Sequence, residues 1–379
     1  MSARRGLAPP PRRVAAPIAG GNGKEERKRT MSRTTSELAS RPLFFERNRV
    51  YRIYQGGALF HPLFGDPAED NNYPEEWIAS SVKALNKVSA GEHEGVSRIR
   101  GTDVYLDELL KAEPEKMLGG RKDMGFLVKA LDSAVALPIQ AHPTKERAMA
   151  LFQSPYGKTE SWLVLDARPC ASIAYGFKRP VTKEEFRQAL HTSTEAVYEL
   201  LNILPVKPGD VFLIPGGMVH AIGAGCLMLE VQEPTDFTIQ PEEWLGDYHL
   251  SEYERFLGLS EEDALTCFDY DMYGEKALAR GRMTPKVTYE GETRVSEQLI
   301  GYEDTPCFAV CRHTLHGGEY VPPAGPAVYL VGGGRGVIAG QGFRHELAKG
   351  DYFLLPHAAA GRYTVQGELT LLECLPPKE

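Results

Sequence analysis

The chain has 379 residues, 42% hydrophobic and 25% charged, the composition of a soluble globular protein with room for two or three domains. No apolar run approaches the roughly 20 residues that a membrane-spanning helix needs, which excludes a span of that kind. The net charge of −8 is unevenly spread: eight Lys or Arg against two Glu in residues 1–30 leave the remainder at −14, which argues against nucleic acid as a partner of the folded part.

Residues 1–34 are rich in Arg, Ala, Pro and Gly, lack hydrophobic periodicity and lack the apolar core of a secretory signal, so they read as a disordered basic tail. Their Pro and Gly content disfavours the amphipathic helix of a transit peptide, and Met31 offers an alternative start. Residues 42–54, rich in Phe, Val, Tyr and Ile and followed by Gly56-Gly57, predict a strand and a turn. A Pro, Asp and Asn loop over 62–74 precedes Glu75-Glu76-Trp77-Ile78. A short helix is expected at 106–112, stopping before Pro114. A longer one is expected at 182–201, where Thr182 is a good N-cap with Glu185 three residues on and Phe186, Leu190, Val197, Leu200 and Leu201 follow an imperfect 3.6 period. Helical pieces at 251–257 and 261–268 come next. From about Met283 to Pro377, short Val, Tyr and Phe runs alternate with Gly and Pro, which predicts a barrel or a sandwich.

The six cysteines, at 170, 226, 267, 307, 311 and 374, form no C-x-x-C pair and no framework spacing, as expected of reduced thiols in a cytoplasmic protein. Cys307 and Cys311 lie four apart in a strand-like segment and are expected to pack in the core. An internal echo organises the rest. Pro208-Gly209-Asp210-Val211-Phe212-Leu213-Ile214-Pro215 returns as Lys349-Gly350-Asp351-Tyr352-Phe353-Leu354-Leu355-Pro356, which predicts two copies of one β-barrel module. Five residues past the proline stands His220 in the first copy and Gly361 in the second, while His357 is out of register for the same role.

His220 belongs to a candidate metal site. Gln140 and His142 lie two apart in an extended segment and face one side, Glu160 opens the apolar strand 160–165, and a Gly-rich turn delivers His220. Imidazole and carboxylate are ligands zinc accepts, an amide oxygen is a rarer one, and a site without thiolates is more often catalytic than structural. A lone histidine beside apolar residues is usually a core residue; the joint pattern is what points to a metal. Lys129 and Glu230 are charges inside apolar runs, costly unless paired, and Lys158 stands two residues before Glu160. These are candidates for acid and base, with a structural ion pair between Lys129 and Glu230 as the plainer reading. Asp236 is read by default as a turn cap.

The ordered motifs Phe126-Leu127-Val128-Lys129-Ala130-Leu131, Pro138-Ile139-Gln140-Ala141-His142-Pro143, Gly157-Lys158-Thr159-Glu160-Ser161-Trp162 and Pro215-Gly216-Gly217-Met218-Val219-His220-Ala221-Ile222-Gly223, with Leu229-Glu230, resemble type I mannose-6-phosphate isomerases in their shorter bacterial form. The resemblance runs from about residue 42 to 377 and is weak across 250–290. It implies a mainly β fold of two cupin (double-stranded β-helix, jelly-roll) barrels: a metal-binding catalytic unit over 35–250 with a helical insertion, a helical connector over 251–282, and a C-terminal cupin without a metal site over 283–379. It implies one Zn2+ per chain on Gln140, His142, Glu160 and His220. Lys129, Lys158 and Glu230 would be the catalytic residues, and Lys129, Lys158, Asp236 and Gln240 would meet a sugar phosphate. The implied reaction interconverts mannose 6-phosphate and fructose 6-phosphate, with no nucleic acid or membrane partner and the oligomeric state left open. One position departs from the family, because Gln240 stands where an arginine is usual, and a neutral amide cannot stabilise anionic charge as a guanidinium does. That departure leaves two alternatives: a non-catalytic sugar-binding or regulatory bicupin, or an isomerase of another sugar.

Overall fold

Runs such as Leu127–Ser133 and Cys226–Gln232 are buried at every residue, so they form strands covered on both faces. A computed structural model describes residues 34–86 and 91–378 and is mainly β. The expected basic tail lies, up to residue 33, outside the described residues. The strands of the first part are β1 (Leu43–Phe44), β2 (Arg49–Val50), β3 (Glu75–Ile78), β4 (Leu127–Ser133), β5 (Glu160–Ala167), β6 (Ser172–Phe177), β7 (Leu201–Pro205), β8 (Val211–Ile214), β9 (His220–Ile222), β10 (Cys226–Gln232), β11 (Trp244–Leu245) and β12 (Tyr248–His249). After a helical stretch follow β13 (Arg282–Met283), β14 (Lys286–Glu290), β15 (Arg294–Ile300), β16 (Ala309–Tyr320), β17 (Ala327–Gly340), β18 (Phe343–Ala348), β19 (Tyr352–Leu355) and β20 (Thr364–Leu375).

Two large sheets share one plan. One has the order β13-β8-β5-β10-β4-β3-β2, and the other β1-β19-β17-β20-β16-β15-β14, with β18 on β17. Each takes an edge strand from the other part of the chain: β1 pairs β19, and β13 pairs β8. The echo noted above is one structural turn used twice. Gly209 (φ +93°) and Gly350 (φ +86°) enter it in the left-handed region. Asp210 and Asp351 then each accept from the backbone N–H three residues back, on Lys207 (3.0 Å) and Ala348 (2.8 Å). The register also corresponds. Glu160 lies opposite Ile214 as Ala327 lies opposite Leu355, and Glu230 lies opposite Trp162 as Glu373 lies opposite Tyr329. In the second copy the segment after Pro356 is a single 3-10 turn with His357 exposed and Gly361 at φ +70°.

The outer faces of the two sheets meet in a common core, in which Val128, Leu229 and Val231 of the first pack with Val310, Leu354 and Leu372 of the second. Inside the first sheet lie Trp162, Tyr175, Phe212 and Met228, and inside the second Tyr329, Phe353 and Leu371. Phe177, Phe186 and Phe268 form a further core under the helical pieces.

Some elements differ from expectation. The helix expected over 182–201 is two, Lys183–Leu190 and Thr194–Tyr198, because Ser193 caps the second by accepting from the Ala196 N–H, after which the chain enters β7. Thr182 caps the first as expected, through the Glu185 N–H. The helix Leu106–Ala112 is followed at once by Pro114–Leu118, since proline in a first turn lacks only an N–H that has no helical partner. Phe60–Phe64 and Gly274–Gly281 are helices the sequence did not signal; the first carries Pro62 and the second is bounded by glycines. The piece expected at 261–268 is Glu261–Ala264 plus a 3-10 turn, and 42–54 holds two short strands rather than one. Gln140 and His142 sit in an extended segment held by isolated bridges outside the named strands. All six cysteines are free, and Cys307 precedes the strand that carries Cys311.

Candidate metal centre and active-site pocket

The backbone brings the four candidate ligands together from three segments. Gln140 and His220 exchange both main-chain hydrogen bonds at 2.9 Å, so their side chains start from neighbouring points. The turn before His220 closes through Met218 N–H to Pro215 C=O (3.0 Å) and Gly217 N–H to His142 C=O (2.7 Å). Gly217 holds φ +89°, and a Cβ on Gly216 would lie 2.9 Å from Thr144 Cα, so this turn needs both glycines. Glu160 enters as the first residue of β5, between Ile214 of β8 and Gln232 of β10.

Each imidazole is oriented by a carbonyl. His142 Nδ1 lies 2.9 Å from Phe237 C=O and His220 Nδ1 lies 2.8 Å from Met218 C=O, so each donates there and turns the Nε2 lone pair inward. His142 Nε2 is 3.2 Å and His220 Nε2 3.4 Å from different oxygens of Glu160. The three ligand atoms lie within 4.8 Å of one another, and all three residues are buried. His220 Nε2 and Glu160 Oε2 have no hydrogen-bond partner. A buried polar atom left unpaired costs roughly 1–3 kcal/mol, and a divalent cation would satisfy these atoms together. The protonation states suit it: burial pushes His142 down to about 3 and His220 below its usual range. Burial alone would raise Glu160, but His142 and Lys158 hold it well below the usual carboxylate range. Neutral imidazoles and an ionised carboxylate are what a metal binds.

Gln140, His142 and Glu160 line a cavity of about 540 Å³. It is also lined by Lys129, Lys158, Glu230, Asp236 and Gln240, so every side chain singled out in the sequence but His220 borders it, and His220 lies fully buried against Glu160. Lys158 Nζ is 3.1 Å from His142 Nε2 and 3.6 Å from Glu160. Lys129 Nζ is 3.1 Å from Glu230 Oε1, whose other oxygen accepts from the Trp162 indole at 3.1 Å. Burial works against the Lys129 charge, yet Glu75 and Glu230 outweigh it and push the ammonium up to about 12. Burial raises Glu230 above the usual carboxylate range despite Lys129. Asp236 does more than end a turn: it accepts from the Leu85 N–H at 3.0 Å and pairs with Arg52. Gln240 gives its Nε2 to Glu254 C=O at 2.9 Å.

Sequence reasoning passed over Arg52, Tyr54 and Glu75, which line the same cavity. The available signal was a pair of carboxylates opening the four-residue strand Glu75–Ile78, which is buried throughout.

A family profile described as "Phosphomannose isomerase type I, catalytic domain" matches residues 59–159. Mannose-6-phosphate isomerase of Streptococcus mutans is 29% identical over 345 residues, 87% of this chain and 97% of the relative. Mannose-6-phosphate isomerase ManA of Bacillus subtilis is 28% identical over 337 residues, 87% of this chain and 97% of the relative. The chain is similar to type I phosphomannose isomerases along most of its length. The fold agrees with that of solved mannose 6-phosphate isomerases: the crystal structure of mannose 6-phosphate isomerase from Bacillus subtilis aligns with a TM-score of 0.72 at 24% identity, covering 88% of this chain and 99% of that one. Another solved mannose 6-phosphate isomerase, bound with zinc and yttrium, aligns with a TM-score of 0.63 at 16% identity over 89% of this chain and all of that one.

Proposed function

We infer that this protein interconverts mannose 6-phosphate and fructose 6-phosphate at the cavity lined by His142 and Glu160, against which His220 is buried. The observation that carries the reading is the converging buried lone pairs of these three residues, two of them unpaired, beside the Lys129–Glu230 pair in one pocket. Gln140, His142, Glu160 and His220 would hold one Zn2+ per chain, an ion that acts as a Lewis acid toward a carbonyl oxygen.

The chain's own residues supply the rest. An aldose–ketose exchange moves a proton between two adjacent carbons, so one group must accept it and return it from a fixed position. Glu230 suits that task, because burial raises its affinity for a proton while Lys129 and the Trp162 indole fix its two oxygens. Lys129 and Lys158 line the same pocket, where their ammonium groups would meet the oxygens of a sugar phosphate. Asp236 and Gln240 form the wall, where Gln240, its amide N–H engaged, offers a carbonyl oxygen to a sugar hydroxyl. The catalytic unit is assigned to 35–250, the connector to 251–282 and the second cupin, without a metal, to 283–379. Six free cysteines support a cytoplasmic setting.

Purified, zinc-loaded protein in an assay coupled to fructose 6-phosphate tests this. Sustained product formation from mannose 6-phosphate is expected. Stoichiometric zinc with no product would sink the isomerase reading and favour the sugar-binding alternative suggested by Gln240.

A further inference from the structure

A row of alternating charge runs along the pocket, and its middle members, Arg52 and Glu75, have no role in the reaction described above. Asp236 holds Arg52, whose Nη2 lies 3.1 and 3.2 Å from its two oxygens. Arg52 forks onto Glu75 through Nε (2.9 Å) and Nη2 (3.2 Å). Glu75 faces Lys129 Nζ at 3.7 Å, and Lys129 meets Glu230 at 3.1 Å. The row crosses the end of β2, then β3, β4 and β10, so pairing of distant segments assembles it.

Glu75 is its centre. Besides Arg52 it accepts from the Tyr54 hydroxyl (2.5 Å) and the Trp77 indole (2.6 Å), and both Arg52 (5.4 Å) and Lys129 (5.1 Å) lie over the Trp77 ring. Donors fill both of its oxygens, so Glu75 has nothing left with which to hold substrate or take a proton. Its remaining effect is on Lys129. Shared between two carboxylates, the ammonium is fixed in place without closing wholly onto Glu230; without Glu75 it would turn to Glu230 alone and weaken it as a base. A buried ion pair is no more stabilising than well-packed apolar residues of its size, so fold stability is a poor reason for five charges in a row that ends at the reacting pocket.

We propose that Glu75 and Arg52 are positioning residues of the isomerisation: Arg52 fixes Glu75, and Glu75 sets the Lys129 ammonium beside Glu230. The proposal rests on the isomerase reading. It is tested with zinc-loaded wild type, Glu75→Gln, Glu75→Asp and Arg52→Lys, measuring kcat, KM, zinc content and thermal midpoint. Glu75→Gln is expected to lower kcat by about 10- to 100-fold, the range typical for losing a supporting partner, with KM and zinc content near wild type. Glu75→Asp, which keeps the charge, should recover part of the loss, and Arg52→Lys, which keeps charge without the fork, should show a smaller one. A wild-type kcat in Glu75→Gln, or a loss that merely tracks zinc or folded protein, overturns the proposal. Should Glu75→Gln not fold, Arg52→Lys decides, and an unchanged kcat there overturns it. An inactive wild type defeats the isomerase reading itself, whereas an active wild type with an equally active Glu75→Gln defeats this inference alone.

Discussion

His142, Glu160 and His220 meet because three carbonyl, strand and turn contacts aim them at one point, and no one of those contacts is strong by itself. Removing one ligand should therefore empty the site while leaving the fold. His220→Ala is expected to bring bound zinc from one per chain to nearly none and to cost more activity than the ~100-fold typical for an outer partner. Retention of stoichiometric zinc, read by elemental analysis, would refute the assignment. The candidate ligands were legible in the sequence because their meaning is local: an imidazole two residues from an amide, a carboxylate at a strand start, a Gly-Gly turn before His220. Arg52 and Glu75 were not, since a charge next to an apolar run says nothing until the register of β2, β3 and β4 shows what lies opposite.

The element that recurs is the Gly-Asp turn leading into β8 and β19. Its two copies have the same backbone and different surroundings. A Cβ on Gly209 would meet nothing within 4 Å, whereas one on Gly350 would lie 2.0 Å from Leu63 C=O. Gly209→Ala is expected to cost only the left-handed backbone penalty, roughly 1–2 kcal/mol. Gly350→Ala should cost clearly more, because the Phe60–Phe64 helix must move. Urea midpoints compare them, and equal losses would contradict this packing. The turn could be read from sequence because the motif repeats letter for letter in part. The break at Ser193 could not, since Thr182, Phe186 and Val197 keep an apolar period across it and only the cap on Ala196 N–H decides. The helix at Gly274–Gly281 was hidden by its own glycines.

Across the whole molecule, the exchange of β1 and β13 and the common core of Val128, Val231, Val310 and Leu372 tie the two sheets into one unit. Separate melting would expose that apolar interface, so a single cooperative transition is expected. All three tryptophans, Trp77, Trp162 and Trp244, lie in the first part of the chain, so their fluorescence reports that part alone, while far-ultraviolet circular dichroism reports both. The two urea curves should coincide, and a second transition silent in fluorescence would contradict the coupling. The paired-module plan was visible in the internal echo, but the strand exchange was not, because two-residue strands such as Leu43–Phe44 carry no pattern of their own. The central claim is that the His142–Glu160–His220 centre carries the isomerisation, and the measurement closest to it is turnover of mannose 6-phosphate by chelator-treated protein titrated with zinc. Turnover should vanish on metal removal and return in proportion to zinc, levelling at one ion per chain; full turnover by protein shown to be metal-free would contradict it.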